Sequence, residues 1–342
     1  MNRLALTGSL VVVSLLLGCR RDNAEEMGWH GPSATPYAVG APHYFPPMEV
    51  PAFNPLTVEG IELGRRLYHD PLLSAGGPQA GRSCSSCHTQ SASFTEPSTG
   101  TAILPHVNLG WNSNFLWTGA VSGTLEDIMR FEVDEFFEVD VQLLQDNADY
   151  RERFRKVFGT GNITREHVAK ALAQWFRRLN SMDSKFDRYL SYTGTLTSKE
   201  LSGMMVYLSE VGDCFHCHGI PMLTDNAFHN IGLDSTFQGE DRGRYLVTGD
   251  PDDLGEFKAP TLRNIALTAP YMHDGRFATL EEVVEHYNSG VKWSPSLDPL
   301  MTKLGGNTTL NLTPTQKADL VAFLHTFTDD TFLTDAALSN PF

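Results

Sequence analysis

Two short cysteine and histidine motifs carry the most specific chemistry in this sequence of 342 residues. The first reads Cys84-Ser85-Ser86-Cys87-His88 and the second reads Cys214-Phe215-His216-Cys217-His218. The spacing C-x-x-C-H is typical of covalent haem attachment, in which two thiols add to the vinyl groups of one haem and the histidine lies beneath its iron. The sequence therefore predicts two c-type haems, one in each half, with His88 and His218 as proximal iron ligands.

Other uses of paired cysteines fit these motifs less well. A zinc ribbon places its two C-x-x-C pairs much closer together, and a thioredoxin-like motif needs no histidine after it. Four cysteines in an exported protein often form disulfides. Here each pair is followed at once by histidine, and the two pairs use every cysteine except Cys19, which favours haem.

The first 19 residues predict a lipoprotein-type signal peptide. A short basic start is followed by an apolar run, Leu10 to Leu17, that is too short to span a bilayer. The run ends in Leu16-Leu17-Gly18-Cys19, which resembles a bacterial lipobox whose cysteine is lipidated. An ordinary signal peptide with a chance cysteine is the alternative. Both versions predict export to the periplasm, with membrane contact only through a lipid anchor at Cys19.

Length and charge narrow the remaining possibilities. A chain of 342 residues is long enough for two modest domains. Its formal net charge of −15 argues against a nucleic-acid partner, because phosphates would be repelled. The same charge suits a basic redox partner, although a solvated acidic surface without a partner is the plainer interpretation.

The elements that must position the two motifs are predicted to be helices. Residues 57–68 and 197–211 have a threonine start signal and helical apolar spacing, and each precedes one motif. Further helices are predicted over residues 164–190 and 314–327. Convincing strand patterns do not occur, so we predict a mainly α fold of two cytochrome c-like haem domains with long loops.

The predicted organisation of the chain follows from these elements. It comprises a signal peptide (1–19), an extended proline-rich tether (20–52), an N-terminal haem domain (53–190) and a C-terminal haem domain (191–335).

Several further segments, taken in order, resemble the bacterial dihaem cytochrome c peroxidase family, which includes the methylamine-utilisation protein MauG. They are Leu116-Trp117-Thr118-Gly119, Thr124-Leu125-Glu126, Cys217-His218-Gly219, Thr224-Asp225-Asn226, the segment from Lys258 to Asn264, Pro270-Tyr271-Met272-His273-Asp274-Gly275 and Thr279-Leu280-Glu281-Glu282. The resemblance implies an enzyme whose N-terminal haem reacts with hydrogen peroxide and whose C-terminal haem transfers electrons.

The resemblance also implies roles around the first iron. Common members block this iron with a second histidine, but residues 89–104 contain none and His106 stands out of register; we therefore expect an open iron. A glutamate should act as general acid and base. Glu138 fits the family pattern best, with Glu132 and Glu135 as alternatives. Trp117 aligns with the tryptophan that relays electrons between the haems, although a packing role is the plainer interpretation.

The distal ligand of the second iron is implied by counting from a threonine. Common peroxidases place methionine eight residues after the threonine of Thr-Leu-Glu-Glu, where this sequence has Tyr287 and MauG also has tyrosine. A phenolate lowers the reduction potential and stabilises high-valent iron, whereas methionine raises the potential. Tyr287 thus favours a MauG-like enzyme that holds oxidising equivalents on both haems. His286, Met272 and Met301 are competing ligands.

The remaining expectations concern calcium and partners. The family often binds calcium between its domains through backbone carbonyls, here those of Thr268 and Pro270, although the usual asparagine near Ala102 is missing. The implied partners are hydrogen peroxide and either a small redox donor protein or a protein substrate. A pure electron-transfer cytochrome and a haem-based sensor remain the alternative functions.

Overall fold

The computed structural model describes residues 34–96, 102–303 and 306–342, and within them helices and loops dominate. The helices are α1 (Val58–His69), α2 (Leu125–Phe131), α3 (Val141–Asp146), α4 (Ala148–Phe158), α5 (Arg165–Phe176), α6 (Lys185–Leu190), α7 (Ser198–Tyr207), α8 (Tyr245–Thr248), α9 (Leu280–Glu285), α10 (Pro314–His325) and α11 (Asp330–Thr334). The strands form two antiparallel pairs, β1 (Asn114–Phe115) with β2 (Val121–Ser122) and β3 (Phe228–His229) with β4 (Phe257–Lys258). The prediction of a mainly α fold with long loops is confirmed.

Two predictions concern residues outside this description. The signal peptide, Cys19 and the first part of the tether all precede residue 34. None of the helices in the described ranges is long and apolar enough to cross a membrane.

Threonine side chains begin the helices that were expected to start with them. Thr57 accepts a hydrogen bond from the Gly60 N–H at the start of α1, and Thr197 forms a capping box with Glu200 at the start of α7. These caps satisfy N–H groups that have no partner within the helix.

The single helix expected over residues 164–190 is two helices, α5 and α6. The segment between them leaves the helical path because the backbone N–H groups of Met182 and Asp183 donate to the Asp329 carboxylate. Ser184 then caps α6 through its side chain. Tertiary hydrogen bonds have therefore replaced a helical turn that local sequence favoured.

Two hydrophobic cores form around two crossed helix pairs. Helix α1 packs against α5 in the first core, and α7 packs against α10 in the second. Glycine permits each close approach, because a Cβ at Gly64 would overlap the Ala171 carbonyl and a Cβ at Gly203 would overlap the Asp319 carbonyl. Each pair thus holds the segment leading to one C-x-x-C-H motif against a later helix of the same half.

Each core includes residues from the other side of the predicted domain boundary. Phe186 of α6 belongs to the second core, while Phe332 and Leu338, near the C-terminus, pack in the first. A buried ion pair between Arg263 and Asp187 holds α6 against the second half, with N–O distances of 2.9 and 3.1 Å. The predicted boundary at residue 190 stays a prediction, and the packing places α6 with the second core.

Candidate functional site

Each C-x-x-C-H motif lies on the wall of a large, mainly apolar cavity. The first cavity encloses about 440 Å³ and is lined by Cys84, Cys87 and His88. The second encloses about 210 Å³ and is lined by Cys214, Cys217 and His218. Both cysteine pairs are free thiols. The structure therefore brings the predicted attachment groups to two separate cavities, one associated with each core.

Equivalent hydrogen bonds orient the two motif histidines. His88 Nδ1 lies 2.8 Å from the Phe94 carbonyl, and His218 Nδ1 lies 3.0 Å from the Leu223 carbonyl. Each carbonyl fixes the tautomer with hydrogen on Nδ1, which leaves Nε2 as the lone-pair nitrogen. Burial lowers the pKa of His88 to about 4 and also lowers the pKa of His218. Both rings are therefore neutral at pH 7, as a metal ligand must be.

Buried tyrosines support these histidines from the preceding helices. The hydroxyl of Tyr68, in α1, donates to the His88 carbonyl at 3.2 Å, and the hydroxyl of Tyr207, in α7, donates to the His218 carbonyl at 2.5 Å. The two halves thus repeat one device for holding the motif.

A second repeat places a polar side chain on the wall of each cavity. Helices α2 and α9 begin at Thr124 and Thr279 with capping boxes, and each runs directly into a short π-helical turn. The eighth residue after each threonine is Glu132 in the first half and Tyr287 in the second. Glu132 lines the first cavity and Tyr287 lines the second.

The carboxyl of Glu132 and the hydroxyl of Tyr287 form no hydrogen bond with any residue that the structure describes. Burial raises the pKa of Glu132 to about 7 and raises that of Tyr287 above its ordinary value. π-helical turns are uncommon and are frequent at functional sites. Each cavity therefore holds one polar group that is left free for a ligand.

The structure does not bring Glu138 or Glu135 to the first cavity. Both side chains are exposed, and Glu138 has a positive φ of 48° where the chain bends away after Phe137. Glu132 is the first residue after α2 and lines the cavity, whereas Glu138 follows the π-helical turn, which ends at Phe136. Sequence reasoning had the means to find Glu132, since the count that singled out Tyr287 gives Glu132 when it is applied to Thr124.

His106 lies much closer to the first motif than its sequence position indicated. Its ring stacks on that of His88, with centroids 3.4 Å apart and planes 14° apart. Its Nδ1 lies 3.1 Å from the Tyr68 hydroxyl. The residue at the equivalent place in the second half is Leu262: its N–H donates to the Leu223 carbonyl as that of His106 donates to Phe94. His106 thus flanks His88 rather than standing apart from the site.

Trp117 lines both cavities, and its role as a relay between two haems stays a prediction. Its indole N–H donates to the Ala102 carbonyl at 2.9 Å, and its own carbonyl accepts from the Lys258 N–H at 2.8 Å. Lys258 also lines both cavities and was not singled out by the sequence, apart from beginning the segment Lys258–Asn264.

The competitors of Tyr287 are placed differently from one another. His286 directs its Nε2 to the Ile231 carbonyl at 3.0 Å and does not line the second cavity. Met272 and Met301 do line it. Position therefore removes His286, while the choice between Tyr287 and the two methionines stays a prediction.

The predicted calcium residues lie in a turn after Leu267. The Thr268 hydroxyl donates to the Ile265 carbonyl at 3.2 Å, and the Ala269–Pro270 peptide bond is cis. The carbonyl of Ala102, near which the family asparagine was expected, already accepts the Trp117 N–H. The calcium site stays a prediction.

The donor set of both cavities fits a haem. Each offers two free thiols, a neutral imidazole and apolar walls, together with the polar side chain of Glu132 or Tyr287. Imidazole, carboxylate and phenol oxygen are all known partners of haem iron or of its ligands.

A family model described as di-haem cytochrome c peroxidase matches residues 58–195. The chain is 33% identical over 296 residues to the methylamine utilization protein MauG of Methylorubrum extorquens strain AM1, which covers 81% of this chain and 80% of that protein. It is 32% identical over 303 residues to the cytochrome c551 peroxidase of Nitrosomonas europaea, which covers 83% and 84% respectively.

Solved structures of similar fold include proteins of the same kind. The crystal structure of a MauG-like protein associated with microbial copper homeostasis superposes with a TM-score of 0.80 and 33% identity, over 89% of this chain and 99% of that one. The diheme peroxidase BthA of Burkholderia thailandensis E264 superposes with a TM-score of 0.61 and 19% identity, over 84% and 91%, which is a likeness of fold.

Proposed function

Because this chain belongs to the di-haem cytochrome c peroxidase family, we propose that it reduces hydrogen peroxide in the first cavity with electrons that arrive through the second. Family membership makes the chain an oxidoreductase of the dihaem peroxidase or MauG-like type with haem cofactors. The observation that carries the finer proposal is the difference between the two equivalent positions, Glu132 and Tyr287. One provides a proton-transfer group and the other a ligand.

The residues that would hold the cofactors are those of the two motifs. Cys84 and Cys87 would bind one haem covalently and His88 would ligate its iron, while Cys214, Cys217 and His218 would do the same in the second cavity. Bound haem would supply the iron that takes up peroxide and the electrons that reduce it to water. The protein supplies orientation and protons.

Glu132 is the proposed general acid and base of the first cavity. A group with a pKa of about 7 exchanges protons efficiently at neutral pH, and burial in apolar surroundings gives Glu132 that value. As a carboxylate it would accept a proton from the incoming peroxide, and as an acid it would return that proton to the departing oxygen. Reduction to two waters consumes two protons and two electrons in all.

Tyr287 is the proposed distal ligand of the second iron. Its hydroxyl faces the second cavity without a protein partner, from the same helical position that Glu132 occupies in the first. A ligated second iron would exchange electrons without binding peroxide.

Trp117 is the proposed relay between the two cavities, because it lines both. The predicted signal peptide supports a periplasmic location, where a small redox donor protein would supply electrons. Lipid anchoring at Cys19 and a calcium ion at Thr268 and Pro270 complete the proposal.

A second version of the function has its own supporting observation. A phenolate ligand at Tyr287 favours retention of oxidising equivalents, and MauG proteins are among the most similar relatives. In that version the final electron source is a side chain of a partner protein rather than a small redox donor.

The deciding experiment is the addition of one equivalent of hydrogen peroxide to the fully oxidised, haem-loaded protein, followed by stopped-flow absorption. We expect an immediate absorption change that a one-electron donor reverses. A reaction that begins only after one haem has been reduced would overturn the open first site. No consumption of peroxide in either state would favour an electron-transfer cytochrome or a sensor.

A further inference from the structure

Lys258 is a lysine buried between the two cavities. Its side chain is only 4% exposed, and it lines the first cavity and the second. It lies in β4, where its backbone N–H donates to Trp117, the other residue proposed to connect the two sites. Lysine is almost never buried to this degree without a paired charge.

The Lys258 ammonium has no anionic partner among the residues that the structure describes. The Lys258 Nζ donates a long hydrogen bond, of 3.5 Å, to the carbonyl of the neighbouring Ala259. The carboxylate that acts on it from a distance, Asp225, is occupied by other donors: the His229 Nε2 at 2.8 Å and the Ala227 N–H at 2.9 Å.

Burial of such a group carries a free-energy cost. Removing an unpaired ammonium from water costs several kcal/mol unless an anion or several hydrogen bonds replace the solvent. The pKa of Lys258 is lowered to about 8 by burial, with Asp225 opposing the decrease. A negatively charged ligand beside the amine would replace the lost hydration and stabilise its charged form.

We propose that Lys258, which lines both cavities, binds the carboxylate side chains that haem carries. The proposal rests on the proposed function, since it requires haem in at least one cavity. The Lys258 ammonium would thus bind the carboxylates of the cofactor. This role is separate from that of the thiols and imidazoles, which hold the ring and the iron.

The position of Lys258 gives this site an effect on electron transfer. A positive charge close to a haem stabilises the reduced form, which carries one positive charge fewer than the oxidised form, and the effect is large in a low-dielectric interior. Lys258 would therefore raise the reduction potential of the haem that it contacts. Because it lines both cavities, it is placed to act on both potentials together.

The test is a spectroelectrochemical titration of the haem-loaded protein at fixed pH, comparing wild type with Lys258→Met, Lys258→Arg and Lys199→Met. Methionine keeps most of the side-chain length without charge, and arginine keeps the charge. Lys199 is exposed in α7 and provides the matched surface control. If Lys258→Met fails to fold, Lys258→Gln takes its place.

We expect Lys258→Met to lower the potential of at least one haem so that its oxidised-to-reduced ratio rises at least tenfold, about 59 mV for one electron. Lys258→Arg should stay within threefold of wild type, and Lys199→Met should not change either potential. Potentials in Lys258→Met that equal those of wild type would overturn the proposal. The readout does not depend on peroxide turnover, so a haem-loaded protein that ignores peroxide would refute the proposed function and still decide the role of Lys258.

Discussion

The two halves of this protein use the same scaffold and differ in the side chains that face their cavities. In both, a helix packed against a later helix leads to a C-x-x-C-H motif, and a buried tyrosine binds the motif histidine's carbonyl. In both, a threonine-capped helix passes into a π-helical turn, and the eighth residue after the threonine lines the cavity. That position holds Glu132 in one half and Tyr287 in the other.

One architecture can therefore support two kinds of chemistry when the side chains at equivalent positions differ. A carboxyl with a pKa near neutrality can exchange protons, whereas a phenol oxygen at the same place is suited to ligate a metal. A second difference, His106 against Leu262, lies beside the motif histidine rather than opposite it. The proposed difference in function between the two halves therefore depends on a few side chains, which are held by a repeated backbone arrangement.

Replacing Glu132 should have the largest effect on the chemistry that distinguishes the first half from the second. We expect Glu132→Gln to slow the reaction of the oxidised protein with peroxide by about 10²- to 10⁴-fold, the usual contribution of a general acid or base. Stopped-flow absorption measures the rate constant. The matched control is Glu138→Gln, which removes an exposed carboxyl and should leave the rate within about twofold. Equal losses in the two variants would show that Glu132 has no special role.

Replacing Tyr287 by methionine should make the second half resemble that of common peroxidases. We expect Tyr287→Met to raise the potential of the second haem by on the order of 0.1 V, within the roughly 0.8 V range that axial ligands span. Redox titration gives the value, and the first haem should change much less. If Met272→Leu or Met301→Leu instead changes the spectrum of the second haem, that methionine is the ligand.

The pH dependence of the peroxide reaction should belong to the first half. Burial raises the pKa of Glu132 to about 7, and only the deprotonated carboxylate can accept a proton. The rate should therefore fall about tenfold per pH unit below pH 7 and level off above it. The profile of Glu132→Gln should be flat over this range. A wild-type rate that is constant from pH 5 to 8 would contradict the assignment.

The same shift affects stability in a predictable direction. The folded-state pKa of Glu132 lies above its ordinary value of 4.5, so the native state binds more protons between those values than the unfolded state does. This group's contribution therefore becomes less favourable as the pH rises from about 4.5 through 7. Glu132→Gln should remove that part of the pH dependence of thermal unfolding.

Changing His106 to leucine copies the second half into the first and should have the smallest effect. The variant loses the hydrogen bond with Tyr68, which contributes about 1 kcal/mol. We expect the unfolding midpoint to fall by a few degrees and the absorption of the first haem alone to shift. A new ability to bind an added ligand at the first iron would instead indicate that His106 is itself a ligand of that iron.

Much of this organisation could be read from the sequence because it rests on local rules. Thr57 and Thr197 carry strong capping signals, and the C-x-x-C-H spacing has a specific chemical meaning. Tertiary effects could not be read in the same way. Asp329, distant in sequence, divides the helix expected over 164–190, and the path of the chain after the π-helical turn leaves Glu138 exposed while Glu132 lines the first cavity.

Lys258 and His106 show the same limit. Neither has a local pattern that reveals its burial, because each is placed by contacts with residues far away in the chain. The repeat between the two halves overcomes part of this limit. Counting eight residues from Thr124 and from Thr279 identifies two equivalent positions from the sequence alone.

Electron paramagnetic resonance of the fully oxidised, haem-loaded protein tests the division of labour most directly. We expect one high-spin and one low-spin ferric signal in the wild type, and we expect Tyr287→Phe to convert only the low-spin signal to high spin. Two low-spin signals in the wild type, or a low-spin signal that survives Tyr287→Phe unchanged, would contradict this division of labour.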